Sequence, residues 1–130
     1  MKHLKLITIL LILALGAAGC GARDATGTIE EYLRAKVEDS DEAKLVNLSC
    51  AAWEAEARTD AASFGSIDAK IEGLACKEAG TEDGYTLVRC EGTINAVYNG
   101  ENRALPVGGP YRALREDGEW KMCGLAEDAE

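Results

Sequence analysis

Apolar positions along this chain change their spacing near residue 65, which divides the sequence into a helical part and a strand part. Between residues 28 and 62, apolar side chains recur about three to four positions apart, which is typical of helices that bury one face. From residue 67 onward they tend to alternate with polar ones, which is typical of strands in a half-buried sheet. The pattern therefore predicts helices first and strands afterwards.

Three helices are expected in the first part. The first begins at the capping box Thr28-Ile29-Glu30-Glu31 and reaches about Glu38. Its apolar stripe runs through Ile29, Tyr32, Leu33, Lys36 and Val37. The second spans about residues 41–48 after a new cap in the acidic segment 39–42. The third is capped by Ser49 and follows the alanine-rich segment 51–62.

Strands are expected at residues 67–79, 85–98, 101–107, 111–115 and 119–125. Tight turns at Asp83-Gly84, Asn99-Gly100 and Asp117-Gly118 join neighbouring strands into hairpins. Gly108-Gly109-Pro110 interrupts the third strand as a bulge or bend, and residues 111–115 resume it. Because all helices precede the strands, the expected fold class is α+β, with N-terminal helices packed on a curved antiparallel sheet.

A different pattern occupies residues 1–20. Lys2 and Lys5 accompany the start of an almost unbroken apolar run, and small residues lead from that run to Cys20. This layout is typical of a secretory signal, and the apolar run is shorter than the roughly 20 residues that a membrane span requires. The ending Leu15-Gly16-Ala17-Ala18-Gly19-Cys20 resembles the lipobox of bacterial lipoproteins, in which the cysteine is acylated and becomes the first residue of the processed chain.

This resemblance implies an organisation in four parts. They are a signal peptide (1–19), a lipidated linker (20–27), a folded domain (28–125) and a flexible acidic tail (126–130). The domain would lie outside the cytoplasm, anchored through Cys20 to the cell membrane or the outer membrane. The membrane is therefore the first expected partner.

Charge and composition then narrow the expected chemistry. Removal of residues 1–19 takes away two lysines and the single histidine, which changes the formal net charge from −9 to −11. Such an acidic chain is not expected to bind nucleic acid, because phosphate contacts require clustered lysine and arginine. Without histidine, most hydrolase mechanisms lack their usual general base. No phosphate-binding, dinucleotide-binding or calcium-loop motif occurs, so neither a cofactor nor a metal is expected.

Four cysteines remain for the folded domain: Cys50, Cys76, Cys90 and Cys123. An even number in an exported chain predicts two disulfides, and a metal site is disfavoured because no C-x-x-C pair is present. If the turn is centred on Asp83, Cys76 and Cys90 lie opposite each other, which favours Cys76–Cys90 with Cys50–Cys123. The pairing Cys50–Cys76 with Cys90–Cys123 stays open.

The element order and the closing run Tyr-x-x-x-x-Glu-Asp-Gly-x-Trp-Lys, from Tyr111 to Lys121, resemble the NTF2-like (cystatin-like) superfamily over about residues 28–125. The resemblance implies a sheet that wraps the helices around a cone-shaped interior. Ketosteroid isomerase-like members place an aspartate and a tyrosine around an apolar ligand there, but no position of this chain matches their catalytic motif. The aromatic residues that could line such a pocket are Trp53, Phe64, Tyr85, Tyr98, Tyr111 and Trp120.

Three functions follow as hypotheses. The first is a non-catalytic, lipid-anchored accessory or binding domain of the cell envelope, which would contact an envelope protein through an exposed apolar patch near Tyr98, Leu105 or Tyr111. The second is a domain that binds a small apolar ligand in a cavity with convergent polar groups. The third is an isomerase-like or dehydratase-like enzyme, which requires a buried Asp, Glu or Tyr with a strongly shifted pKa in that cavity.

Overall fold

A computed structural model describes residues 23–126. The predictions for the signal peptide, for Cys20 and for the tail after residue 126 lie outside the described residues. The helices are α1 (Ala25–Arg34), α2 (Glu42–Asn47) and α3 (Glu54–Ser63), with a π-helical segment (Ala35–Asp39) after α1 and a 3-10 turn (Ala51–Trp53) before α3. The strands are β1 (Asp68–Glu82), β2 (Tyr85–Tyr98), β3 (Glu101–Pro106), β4 (Tyr111–Glu116) and β5 (Glu119–Leu125).

Helix α1 begins earlier than the capping box predicts. Asp24 is its N-cap, and the carboxylate of Asp24 accepts from the backbone N–H of Gly27 at 2.8 Å, which lowers the pKa of that carboxyl. The prediction that the helix starts at Thr28 is wrong, because Thr28 lies inside α1 and is buried. Its hydroxyl donates to the Trp120 carbonyl at 3.3 Å and so ties the helix to β5. The predicted apolar stripe is confirmed at its buried positions, Ile29, Tyr32, Leu33 and Val37.

The segment between α2 and α3 joins the sheet through backbone hydrogen bonds, in addition to the predicted Cys50–Cys123 bond. The Ser49 hydroxyl donates to the Leu45 carbonyl at 2.7 Å, so the prediction that Ser49 caps the third helix is wrong. Backbone hydrogen bonds of 2.7 and 2.9 Å link Met122 of β5 with Leu48 and Cys50. Residues 48–50 therefore lie along the outer edge of β5 as a short parallel bridge.

The five strands form one antiparallel sheet in the order β1-β2-β4-β5, with β3 beside β2. Strand β3 pairs with residues 93–98 of β2, and β4 pairs with residues 86–88 of the same strand. Residues 107–110 connect these two strands through a cis Gly109–Pro110 peptide bond. The predicted α+β fold class is confirmed, with the helices packed against a curved antiparallel sheet.

Strand β1 is an edge strand. Two of its backbone N–H groups donate hydrogen bonds to carboxylates of α1 and of the π-helical segment that follows it. The N–H of Ile71 donates to Glu38 at 3.1 Å, and the N–H of Cys76 donates to Glu30 at 3.0 Å. These bonds position the helical layer over β1. The core lies between that layer and the sheet, where the largest fully buried side chains are Tyr32, Ile29, Leu45 and Val88.

Two disulfides link the four cysteines of the domain. Cys76 and Cys90 lie opposite each other in the β1–β2 register, with their Cα atoms 4.1 Å apart. Cys50 joins Cys123 at a Cα separation of 5.4 Å and links the start of the helical turn before α3 to β5. This is the pairing that the position of the Asp83 turn favours.

Candidate functional site

A cleft of about 300 Å³ opens between α1, α3 and the β4–β5 side of the sheet. We name it the Tyr32–Asp60 cleft after the two residues that connect its helices. Apolar side chains form most of its wall, and polar ones meet between the helices. The residues that line it are Tyr32, Leu33, Lys36, Trp53, Glu56, Thr59, Asp60, Tyr111, Met122 and Leu125.

A chain of polar contacts crosses the cleft from one helix to the other. The indole N–H of Trp53 donates to the Tyr32 hydroxyl at 3.3 Å, and this hydroxyl donates to Oδ2 of Asp60 at 2.7 Å. The other carboxylate oxygen of Asp60 lies 2.9 Å from Nζ of Lys36. Tyr32 and Lys36 belong to the first helical region and Asp60 to α3, so the contacts fix the spacing of the two helices.

The two tyrosines of the cleft keep their protons at neutral pH. Burial, followed by the hydrogen bond to Asp60 and the charge of that carboxylate, raises the pKa of Tyr32 well above its ordinary value. Burial and the charge of Asp60 raise the pKa of Tyr111 to about 12. Both therefore stay neutral hydroxyls: that of Tyr32 already donates its one proton to Asp60, and that of Tyr111 is the one available to donate to another molecule.

The Tyr111 hydroxyl differs from that of Tyr32 in its surroundings. Tyr111 is 7% exposed, yet its hydroxyl takes part in none of the hydrogen bonds formed among residues 23–126. Within the described residues, the fully enclosed side-chain polar atom without a partner is Nε of Arg112, so the Tyr111 oxygen is still reached by solvent. In the wall of a cleft, such a group can be paired by a bound molecule that carries an acceptor.

Trp53 occupies its place in the wall because the facing residue is glycine. A Cβ atom built on Gly124 would lie 2.7 Å from Cζ3 of the Trp53 ring. Gly124 also has φ +99°, a conformation that other residues adopt only with strain. The β5 backbone can therefore lie directly against the indole.

The predicted pocket residues do not share one site. Trp53 and Tyr111 line the Tyr32–Asp60 cleft, whereas Trp120 lines a separate cleft beside Arg115. Phe64 follows α3 and packs against the core, and Tyr85 lies under the guanidinium of Arg112. Tyr98 is 50% exposed near the far end of β2 and does not belong to the wall of either cleft.

Sequence reasoning missed Lys36 and Asp60 as functional candidates. Lys36 is a charged residue within the apolar stripe of the first helix, one turn after Tyr32. Asp60 follows Trp53 and Ala57 at helical spacing, and this spacing places all three on one face of α3. A charged residue on a buried face was the available signal in both cases.

Across residues 23–126, no group of three or more His, Cys, Asp or Glu side chains is arranged to hold a metal ion. None of the helices in that range is both long enough and apolar enough to cross a membrane.

Comparisons with known proteins give one structural likeness. The chain is similar to a solved structure titled as a variant of Rd1NTF2_05, with 16% sequence identity and a TM-score of 0.43. The match covers 72% of this chain and 91% of that one. No protein-family model matches the sequence, and no curated protein matches it either.

Proposed function

We propose that this protein is a non-catalytic, lipid-anchored binding domain of the cell envelope with an NTF2-like fold, and that the Tyr32–Asp60 cleft takes a small, largely apolar ligand. The observation that carries the ligand proposal is the Tyr111 hydroxyl, which has no hydrogen-bond partner among residues 23–126 and belongs to a largely buried side chain in the wall of an apolar cleft. The leader pattern that ends at Cys20 supports the anchor. The two disulfides are compatible with an extracytoplasmic location.

The wall of the cleft indicates the kind of molecule that would fit. Trp53, Met122 and Leu125 offer apolar surface, and Leu125 is 53% exposed. A volume of about 300 Å³ is at the lower end of the range for small-molecule sites. The ligand would place its apolar part against these side chains and an acceptor atom on the Tyr111 hydroxyl.

The Lys36–Asp60 pair supports binding rather than catalysis. Asp60 already accepts from Tyr32 and faces Lys36, so both of its oxygens are engaged by the protein. A general base needs a free oxygen near the proton that it removes. In this arrangement Asp60 holds the helices and orients the tyrosine.

A probe-binding experiment tests the ligand proposal. The full chain is purified from membranes, and the neutral apolar fluorophore N-phenyl-1-naphthylamine is titrated into it. Thr59→Trp places an indole on an exposed cleft-lining position of α3 and should weaken probe binding about tenfold by filling the cleft. Ala55→Trp adds the same side chain at an exposed position of α3 outside the cleft and should leave the affinity unchanged.

The outcomes separate the two parts of the proposal. Equal affinities for the two tryptophan variants, or no binding by the unsubstituted chain, would contradict a ligand site in this cleft. Mass spectrometry of the same preparation tests the anchor, since acylation of Cys20 adds the mass of fatty chains to a polypeptide that begins at that residue. A chain that retains residues 1–19 and carries no lipid would contradict the anchor.

A further inference from the structure

A second cleft, of about 390 Å³, lies where α1 begins, where α2 ends and where β4 turns into β5. We name it the Trp120 cleft. The charged and aromatic residues that line it are Arg23, Asp24, Arg115, Glu119, Trp120 and Lys121. It shares no lining residue with the Tyr32–Asp60 cleft, so the two clefts are separate sites on the domain.

The charge of this surface differs from that of the whole protein. Three cations and two acids line the Trp120 cleft, in a chain whose formal net charge is −9. A neighbouring cleft shares Arg23, Glu119 and Lys121 with it and adds Lys44 together with the acids Glu31 and Asp41. This part of the surface is therefore close to neutral, and a layer of phosphate groups repels it less than it repels the acidic remainder of the domain.

The side chains of the cleft suit a lipid headgroup layer. The Arg115 guanidinium lies 5.9 Å from the centre of the Trp120 ring, and one of its N–H groups donates to the Gly118 carbonyl at 3.0 Å. Arginine has five N–H donors, so most of those of Arg115 stay available for phosphate oxygens. Tryptophan and arginine both favour the boundary between lipid and water, because each combines an apolar body with a polar end.

The position of the proposed anchor decides which surface faces the membrane. Arg23 follows Cys20 by three residues, and three residues span at most about 11 Å. Acyl chains on Cys20 would therefore hold the cleft that contains Arg23 within that distance of the headgroups.

We propose that the Trp120 cleft is the surface with which the domain lies against the phospholipid headgroups of its membrane. Arg115 donates to lipid phosphates there, and the Trp120 ring lies at headgroup level. Nζ of Lys121 donates to the Asn47 carbonyl at 2.6 Å and lies 3.1 Å from Glu119, so it adds to the phosphate contacts only the one N–H that these two partners leave over. This inference rests on the proposed lipid anchor, which brings the cleft to the bilayer. It also assigns an orientation, in which this face of the domain is the one turned toward the lipid.

Lipid-specific fluorescence quenching tests the orientation. The full chain is purified from membranes and reconstituted into vesicles of phosphatidylethanolamine and phosphatidylglycerol that contain lipid brominated near the headgroup. The chain has two tryptophans, so Trp53→Phe leaves Trp120 as the reporter and Trp120→Phe leaves Trp53. We expect the fluorescence of Trp120 to be quenched at least about twofold more strongly than that of Trp53.

A pair of charge variants tests the role of the cations. In the Trp53→Phe background, Arg115→Gln with Lys121→Gln should lower the quenching of Trp120 about twofold, because the cleft loses two phosphate donors. Arg89→Gln with Arg103→Gln removes the same charge from exposed positions outside the cleft and should leave the quenching unchanged. Circular dichroism of each variant confirms that it is folded.

Equal quenching of Trp120 and Trp53, or equal effects of the two charge variants, would overturn the inference. The mass of the chain reports separately on Cys20. An acylated, vesicle-bound protein with an unquenched Trp120 would retain the anchor and lose the orientation. A chain without lipid would lose the proposed anchor, and the quenching of its Trp120 on added vesicles would still decide whether this surface contacts headgroups.

Discussion

Two halves of the sheet follow the same sequence pattern and reach different environments. Ile71 of β1, Ile94 of β2 and Leu105 of β3 are cross-strand neighbours in a single row. Ile71 is 5% exposed, Ile94 is half-buried and Leu105 is 46% exposed. The helical layer covers β1 and leaves β3 uncovered, so the alternation of apolar residues marks a strand face without saying what lies above it.

Truncation of the two ends of this row should give the largest contrast. Ile71→Ala removes buried methyl groups under the helices and should lower the free energy of unfolding by about 3 kcal/mol. Leu105→Ala removes a side chain that water already reaches and should cost less than about 1 kcal/mol. Urea denaturation followed by circular dichroism measures both, and similar losses would mean that β3 is covered in solution.

Glycine substitutions sharpen the contrast at positions that share a strained backbone. Gly124 lies under Trp53, whereas an added Cβ at Gly100, in the β2–β3 turn, would meet nothing within 4 Å. Both have positive φ, so Gly100→Ala measures the backbone strain alone. We expect Gly124→Ala to cost about 2 kcal/mol more than Gly100→Ala, because the added methyl overlaps the indole. Equal midpoints in thermal unfolding would show that Trp53 can move aside without cost.

Two tyrosines give the smallest and most specific contrast, through pH. The pKa of Tyr111 is raised in the folded state to about 12, above its ordinary value of about 10. Its contribution to stability is therefore complete below pH 10 and is lost as the pH rises from about 10 toward 12. The unfolding free energy of the unsubstituted chain, relative to Tyr111→Phe, should fall by up to about 2 kcal/mol across this range.

Tyr98→Phe is the matched control for this measurement, because Tyr98 is half-exposed near the uncovered end of β2. The difference between the unsubstituted chain and Tyr98→Phe should show no comparable change over the same range. Tyr32, whose pKa is also raised, contributes equally to both chains, so a pH dependence that is the same in Tyr111→Phe as in the unsubstituted chain would assign the effect to another group.

Much of the fold could be predicted because it depends on neighbouring residues. The bounds of β2 follow from apolar alternation and two turn sequences, and the Cys76–Cys90 pair follows from the same turn. The favoured Cys50–Cys123 bond places residue 50 beside β5, but the backbone pairing of residues 48–50 could not be predicted, since their partner in β5 is more than 70 residues away. Side-chain patterns carry no information about such a bridge.

The candidate site likewise contains some residues that could be predicted from the sequence and others that could not. Trp53 and Tyr111 could be selected as aromatic residues with a buried face, and both line the Tyr32–Asp60 cleft. Asp60 could not be selected, because its meaning depends on Tyr32 and Lys36, which reach it from another helix. Local periodicity gives the face of each helix, and only the packing of the two helices brings these three side chains together.

The carboxylates on β1 have a consequence for how copies of the protein meet. An unprotected edge strand offers a row of free N–H groups on which a second polypeptide can add as a further strand and begin aggregation. Glu30 and Glu38 already occupy the N–H groups of Cys76 and Ile71 and place negative charge along that edge. Copies of the domain would thus be hindered from pairing through this part of β1, by groups that also hold each domain's own helix in place.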